Sequence, residues 1–237
     1  RVRGAKERNS SVRRLSFILL LCAACLLASC SSEKKATKDF DAGTETEVGA
    51  TASIKRGVKP EPDAEVAVLD VDPYGKIVIE LYPNIAPEMV KRFKQLAREG
   101  FYNGTTFHRI NPNIGIIQGG DPNSKDDDPS NDGGGDSPYP NVPAEFSDIP
   151  YDKGIVGAAR RAADEDLSEA QANDTANCQF FITLKRQPAF DKQYTVFGRV
   201  IEGLNNAQVI STAPLPTGGG EHPAEKIIIK SVTIEKR

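Results

Sequence analysis

Short segments in which apolar and polar residues alternate dominate the chain from residue 64 onward. Residues 66–69 and 77–81 alternate in this way, and the tetrapeptide DPYG at 72–75 between them is a strong turn signal. These two segments therefore predict a β-hairpin. The same pattern predicts further strands at residues 105–110, 114–118, 155–159, 180–184, 195–201 and 227–234.

Two other segments carry the spacing of a helix. After Pro87, apolar residues recur at positions 89, 90, 93, 96 and 97 before Gly100, which is typical of an amphipathic helix with a proline start and a glycine stop. A second helix is predicted over residues 204–210. Many short strands and only two helices indicate a mainly β protein, built as a closed antiparallel β-barrel.

The amino-terminal part of the chain has the pattern of a targeting segment. Residues 1–14 are basic, residues 15–29 are apolar (LSFILLLCAACLLAS), and small residues lead into Cys30. The apolar run is shorter than the ~20 residues of a membrane-spanning helix, and it fits the core of a signal peptide. The tetrad LASC resembles a bacterial lipobox, in which the cysteine is lipidated and becomes the first mature residue. An ordinary secretory signal cut nearby is the alternative.

The lipobox interpretation divides the chain into three parts. Residues 1–29 are a lipoprotein signal peptide, residues 30–62 are the lipidated cysteine with a flexible polar linker, and residues 63–237 are the folded domain. The linker is almost without large apolar residues, so it cannot bury enough surface to fold alone. We therefore expect a protein of the bacterial cell envelope, anchored to a membrane through Cys30 with its domain outside the cytoplasm.

Composition excludes several other classes of function. The chain of 237 residues has a formal net charge of −3 and no basic, aromatic-rich stretch after residue 14, which argues against a nucleic-acid partner. No cofactor is expected, because the phosphate-binding, hydrolase and zinc-protease motifs are missing. The acidic segment 126–136 fails the calcium-loop pattern, since Tyr139 stands where a glutamate is required, so it is predicted to be a solvated loop and no metal is expected. A monomer is the default.

Three short motifs carry the strongest functional signal. They are FHR at residues 107–109, QGGD at 118–121 and QFF at 179–181. Together they resemble the signature of the cyclophilins, the peptidyl-prolyl cis/trans isomerases, especially their bacterial branch. The resemblance covers roughly residues 66–234 and implies an eight-stranded barrel with a helix over each end. It also implies that the substrates are proline-containing polypeptides.

Such an isomerase needs few chemical groups from the protein. Rotation about a peptide bond is opposed by a barrier of ~18–20 kcal/mol, because the C–N bond has double-bond character. A catalyst needs a pocket for the proline ring and a fixed donor that favours a pyramidal prolyl nitrogen, but no nucleophile, metal or proton relay. A guanidinium stays charged and presents rigid donors. Arg109 is therefore the predicted catalytic residue.

The resemblance assigns further roles residue by residue. It implies that Arg109 is the catalytic arginine, that Gln118 positions it, and that Phe181 is the floor of the proline pocket. Tyr194 stands where the family often has histidine. The other residues that it implies for substrate binding are Ala159, Arg160, Gln179 and Phe190.

The segment 111–117 (NPNIGII) departs from the family pattern because it lacks a phenylalanine. Ile114 or Ile116, or the glycine between them, is then expected to line that side of the pocket. A missing aromatic wall removes apolar contact worth about 1–3 kcal/mol. Two functions therefore stay open. One is an isomerase that assists the folding of exported or envelope proteins, and the alternative is a cyclophilin-like module or chaperone that binds proline peptides with little turnover.

Three further expectations concern residues near the motifs. His108 is expected to be structural, with its ring hydrogen-bonded inside the barrel. Cys178 is expected to be a buried structural residue. The inserted segment 161–172 is expected to form a short helix and, as a hypothesis, to bias substrates toward basic flanking residues.

Overall fold

The computed structural model describes residues 53–237, so the predicted signal peptide and Cys30 lie outside the described residues. One eight-stranded sheet forms the body of the domain, with all neighbouring strands antiparallel. Its strands are β1 (Glu65–Asp72), β2 (Gly75–Leu81), β3 (Arg109–Asn111), β4 (Ile116–Gly119), β5 (Ile155–Ala158), β6 (Phe180–Thr183), β7 (Val196–Glu202) and β8 (Ile228–Lys236). Their order across the sheet is β3-β4-β6-β5-β7-β2-β1-β8. The predicted strands are thus confirmed in number and approximate position.

The prediction of a closed barrel is wrong, because the sheet is an open half-barrel. Strands β3 and β8 stand at its two edges. The chain just before β3 meets the start of β8 through one isolated bridge, Thr106 to Ile228, and three backbone hydrogen bonds between residues 104–107 and 227–229, but no ladder runs on into β3. The physical reason is the length of β3, which has three residues against nine in β8. The segment 105–108, predicted to be part of this strand, is buried but makes no continuous ladder.

Three helices accompany the sheet: α1 (Pro87–Arg98), α2 (Glu169–Asn173) and α3 (Leu204–Ile210). Helices α1 and α3 are the two that the sequence predicts, and the apolar face of α1 is buried as expected. Helix α2 lies at the end of the insertion. It begins with a capping box, in which the Ser168 hydroxyl accepts from the Gln171 amide and the Gln171 side chain accepts from the amide of Ser168.

The core consists of two apolar clusters. The larger one is centred on aromatic rings that pack between α1 and the sheet, among them Phe93, Tyr102, Phe180 and Phe197. The smaller cluster includes Tyr151 and Phe181 and lies beside the predicted site. Within residues 53–237, no helix has the length and apolar character needed to cross a membrane.

Candidate active site

Strand pairing brings the three motifs to one place. Arg109 on β3 pairs with Gln118 on β4, Gln118 pairs with Phe181 on β6, and Phe181 pairs with Gly157 on β5. Residues directly opposite each other on neighbouring strands project to the same face of a sheet. The guanidinium, the carboxamide and the phenyl ring therefore form one row across the sheet, although the sequence separates them widely.

A small pocket opens along this row, with Arg109 at one end and the aromatic rings at the other. Its lining residues are Arg109, Ile116, Gln118, Ala159, Arg160, Phe181, Phe190 and Tyr194. The structure thus brings together all but two of the residues that the resemblance and the segment 111–117 point to.

The two exceptions lie beside the pocket. Ile114 does not line it, because it sits in the turn between β3 and β4, where its backbone amide donates to Oδ1 of Asn111 at 2.8 Å. Its side chain packs on the edge of the smaller apolar cluster instead. Ile116 therefore supplies the pocket wall in the altered segment. Gln179 is buried and does not line this pocket, but it lines the neighbouring cavity together with Gln118, Ala159 and Arg160.

A chain of directed hydrogen bonds fixes Arg109 from one side. Nη1 of Arg109 donates to Oε1 of Gln118 at 3.1 Å, and Nε2 of Gln118 donates to Oε1 of Gln179 at 3.1 Å. Nε2 of Gln179 in turn donates to the carbonyl oxygens of Gly133 and Gly135, both at 3.0 Å. Each side-chain amide is thus oriented by the group to which it donates, and the series of hydrogen bonds ends on backbone carbonyl oxygens.

Glu221, which belongs to none of the sequence motifs, fixes Arg109 from the other side. Nε of Arg109 donates to Oε2 of Glu221, and Nδ2 of Asn111 donates to Oε1 of the same carboxylate. Glu221 lies in the loop between α3 and β8, 112 positions from Arg109. No local pattern marks it, because the preceding triple glycine only indicates a turn.

Aromatic rings form the apolar half of the pocket. Phe181 stacks on Tyr151 with ring centroids 5.6 Å apart, and it meets Phe190 and Tyr194 edge-on, each at 5.5 Å. Tyr151 is fully buried beneath the floor and is a second residue that the sequence did not single out. Such a cluster gives the pocket a rigid wall of low polarity, which suits a proline ring.

Arg160 lines the pocket and supports the rim of this aromatic wall. Its guanidinium lies 4.8 Å from the ring centroid of Tyr194. Nη2 of Arg160 donates to Oε1 of Glu169 on α2 at 2.6 Å, and the side chain of Arg160 is only 8% exposed. The insertion therefore holds Arg160 through the ion pair with Glu169 and through the carbonyl of Arg161, which accepts from Nη1 of Arg160 at 3.0 Å, and Glu169 is already engaged by that pair.

His108 and Cys178 are buried near the row but do not line the pocket. The expected hydrogen bond of His108 is not found: both ring nitrogens are without a hydrogen-bond partner among the described residues. Burial lowers the pKa of His108 to about 4, so the ring is neutral at neutral pH. Cys178 is buried as predicted, and burial raises the pKa of its thiol to about 12, which disfavours the reactive thiolate.

Acidic side chains do not converge on a cation site in residues 53–237, where no group of three His, Cys, Asp or Glu is suited to hold a metal. The acidic segment 126–136 is largely exposed, as predicted. It is tied to the rest of the domain by Lys226, whose Nζ donates to Oδ1 of Asp127 at 2.8 Å.

Comparisons of the sequence with known proteins all find similarity to one family. Residues 66–234 match the family described as "Cyclophilin type peptidyl-prolyl cis-trans isomerase/CLD". A Brucella suis protein called "Probable peptidyl-prolyl cis-trans isomerase" is 38% identical over 165 residues, which are 68% of this chain and 78% of that protein. A Schizosaccharomyces pombe protein called "Peptidyl-prolyl cis-trans isomerase ppi1" is 39% identical over 163 residues, which are 68% of this chain and 94% of that one.

A solved structure supports the same similarity. It is a Cryptosporidium parvum cyclophilin type peptidyl-prolyl cis-trans isomerase, crystallised in the presence of the dipeptide Ala-Pro. It superimposes with a TM-score of 0.61 at 28% identity and covers 73% of this chain and 99% of its own.

Proposed function

Since the chain belongs to the cyclophilin family of peptidyl-prolyl cis-trans isomerases, we propose that Arg109 is the group that accelerates rotation about X-Pro bonds. One observation carries this proposal. The guanidinium is held by directed bonds at the polar end of a pocket whose floor is Phe181. A proline ring resting on Phe181 would bring its nitrogen within reach of that guanidinium.

The mechanism follows from what the twisted bond needs. When the prolyl C–N bond rotates out of plane, conjugation is lost and the nitrogen becomes pyramidal, with a lone pair that accepts a hydrogen bond. A donor aimed at that lone pair stabilises the transition state more than the planar ground state. Nε and Nη1 of Arg109 are engaged by Glu221 and Gln118, whereas no described residue accepts from Nη2. Nη2 is therefore the proposed donor.

Gln118 and the aromatic wall complete the proposed machinery. Gln118 orients the guanidinium and lies where the substrate carbonyl passes, while Phe181, Phe190 and Ile116 hold the ring through apolar contact. Ala159 and Arg160 form the edge along which an extended peptide backbone would lie. No covalent bond is made or broken, so no nucleophile, metal or redox group takes part.

The proposed substrates are exported or envelope proteins, because of the sequence before the domain. We propose that residues 1–29 are removed as a lipoprotein signal peptide, that Cys30 anchors the monomeric protein to a membrane, and that residues 30–62 link it to the domain at 63–237. The LASC tetrad and the apolar run before it support this. The described end of the linker is not free, because the amide of Lys55 donates to the carbonyl of Phe146 at 2.8 Å and its Nζ donates to the carbonyl of Ile85 at 2.7 Å. Cys30→Ala should move the protein from the membrane fraction to the soluble fraction, and a variant that stays membrane-bound would refute the anchor.

A second candidate function is a peptide-binding module with little turnover. The observation in its favour is Ile116, which stands where the family pattern has an aromatic wall. Binding by contact with Phe181 would then persist while the ring is held less firmly during rotation.

One pair of measurements separates the two functions. Isomerisation of a short X-Pro peptide and equilibrium binding of the same peptide are measured for the wild type and for Arg109→Ala. The isomerase proposal predicts that Arg109→Ala lowers kcat/KM about 10²–10³-fold while peptide affinity changes much less. Arg199→Ala, on an exposed position of β7, is the matched control. Tight binding with no catalysis by the wild type would instead favour the binding module.

A further inference from the structure

The loop between α3 and β8 delivers a carboxylate to the catalytic strand. We infer that Glu221 is a positioning residue for Arg109, which sets the direction of the guanidinium for isomerisation. The inference rests on the proposed function of Arg109. It assigns a part in the reaction to a loop that no motif of the sequence includes.

Glu221 is tied to three consecutive residues of the edge strand β3. Its carboxylate accepts from Nε of Arg109 through one oxygen and from Nδ2 of Asn111 through the other. Its backbone carbonyl accepts from the amide of Ile110 between them. The loop thus lies against β3 and is fixed there by backbone and side chain together.

Asn111 makes this carboxylate a built feature of the site rather than a chance surface pair. The side chain of Asn111 is buried, and its Oδ1 accepts from the backbone amide of Ile114. That bond turns Nδ2 toward Glu221. The position of the carboxylate is therefore set by the same turn that shapes the altered segment 111–117.

Two hydrogen bonds hold the guanidinium of Arg109 from opposite sides. Gln118 holds Nη1 from the sheet, and Glu221 holds Nε from the loop. Holding both nitrogens fixes the rotation of the planar guanidinium and leaves Nη2 directed away from both partners. A donor that is already oriented loses little conformational freedom when the transition state forms.

Solvent exposure indicates that Glu221 acts on Arg109 mainly as a hydrogen-bond acceptor and less through its charge. The side chains of Arg109 and Glu221 are 38% and 41% exposed, so solvent screens their charge–charge attraction. The directed hydrogen bond is less affected by screening than the long-range attraction. A carboxamide at position 221 should therefore keep part of the positioning effect on Arg109, because its oxygen still accepts from Nε. Alanine should keep none of it.

The test uses the full chain with Glu221→Ala, Glu221→Gln and the control Glu225→Gln. Glu225 is exposed four residues further along the same loop, and it makes no ion pair with any described residue, so its change removes the same charge without touching Arg109. Isomerisation of an X-Pro peptide gives kcat and KM separately. The Nε–H resonance of Arg109 in a ¹H–¹⁵N spectrum reports whether the guanidinium is held.

We expect Glu221→Ala to lower kcat about tenfold with KM changed less than about twofold, and Glu221→Gln to lower kcat about threefold. The hydrogen-bonded Nε–H resonance should be lost in the alanine variant and kept in the glutamine variant. Glu225→Gln should match the wild type in all readouts, and Glu221→Gln should keep the melting temperature of the wild type, because exposed ion pairs add little stability. Glu221→Ala should melt a few degrees lower, because it leaves Nδ2 of the buried Asn111 without its acceptor, so turnover is measured well below that temperature.

Two results would overturn the inference. The first is unchanged or faster turnover in Glu221→Ala while the wild type is active, since the carboxylate would then be idle or would act as a brake. The second is an Nε–H resonance that does not respond to the alanine substitution. A wild type with no turnover refutes the proposed function instead, and the Nε–H resonance then still decides whether Glu221 holds Arg109.

Discussion

Gly157 offers the sharpest way to disturb the pocket without changing its chemistry. It lies on β5 directly opposite Phe181. A Cβ at this position would stand 2.5 Å from Cζ of Phe181 and 2.6 Å from Oη of Tyr151. Carbon atoms in contact prefer about 3.5–4.0 Å, so in Gly157→Ala the ring of Phe181 must move by roughly 1 Å. Tyr151 is fully buried and cannot make room easily.

The size of the effect can be worked out for both stability and turnover. Overpacking a well-packed core costs about 1–3 kcal/mol. In a domain of this size, each kcal/mol lowers Tm by about 2–4 °C, so Gly157→Ala should lower Tm by about 2–12 °C. A misplacement of about 1 Å in the group that holds the substrate can cost on the order of 10²-fold in rate. We therefore expect kcat/KM to fall about 10- to 100-fold.

The assay is isomerisation of an X-Pro peptide well below Tm, together with thermal unfolding. Gly134→Ala is the matched control, because a Cβ there meets only the carbonyl oxygen of Asn131 at 3.5 Å. The control should leave both Tm and turnover unchanged. If Gly157→Ala lowers Tm but keeps wild-type turnover, the idea that this glycine shapes the pocket floor is refuted. If it changes neither quantity, the predicted clash is refuted as well.

Two further predictions concern the surroundings of the pocket. Glu169→Gln should weaken the hold on Arg160 and raise KM about two- to fivefold with little change in kcat, as measured by peptide turnover. The control is Glu165→Gln at an exposed position. Equal KM values for the two variants would contradict the role of Glu169 in supporting Arg160. The pKa of His108 is about 4 in the folded protein and near 6.5 in the unfolded chain, so the unfolded chain binds more protons between these pH values. The stability that depends on a neutral ring is therefore fully present above pH 6.5 and is lost as the pH falls toward 4. Denaturant unfolding across this window should show that wild type loses up to about 3 kcal/mol more than His108→Gln, and parallel curves would refute the buried neutral ring.

Local pattern determined most of the fold. The alternation around the turn at 72–75 predicts the hairpin of β1 and β2, and the spacing after Pro87 predicts the buried face of α1. Both signals come from residues close in sequence, where side-chain direction follows directly from the backbone period. The motifs also indicated which side chains share a site, and the register of β3, β4 and β6 explains why they do.

What the sequence did not predict depends on contacts between distant segments. Closure of the sheet depends on whether the chain before β3 pairs continuously with β8, and the pairing there stops after the bridge between Thr106 and Ile228 and three backbone hydrogen bonds. Glu221 and Tyr151 reach the site from loops far from any motif, so no spacing marks them. Ile114 and Ile116 are alternatives in sequence, and only the turn geometry at Asn111 decides that Ile116 lines the pocket.

Cis/trans exchange of an Ala-Pro peptide, observed by NMR with wild type and with Arg109→Lys, shows most directly whether an oriented guanidinium drives isomerisation. Lysine keeps the positive charge but cannot be held through two nitrogens while a third faces the substrate. We expect fast exchange with catalytic amounts of the wild type and exchange at least about tenfold slower with Arg109→Lys. Equal exchange rates for the two proteins, with both folded, would contradict it.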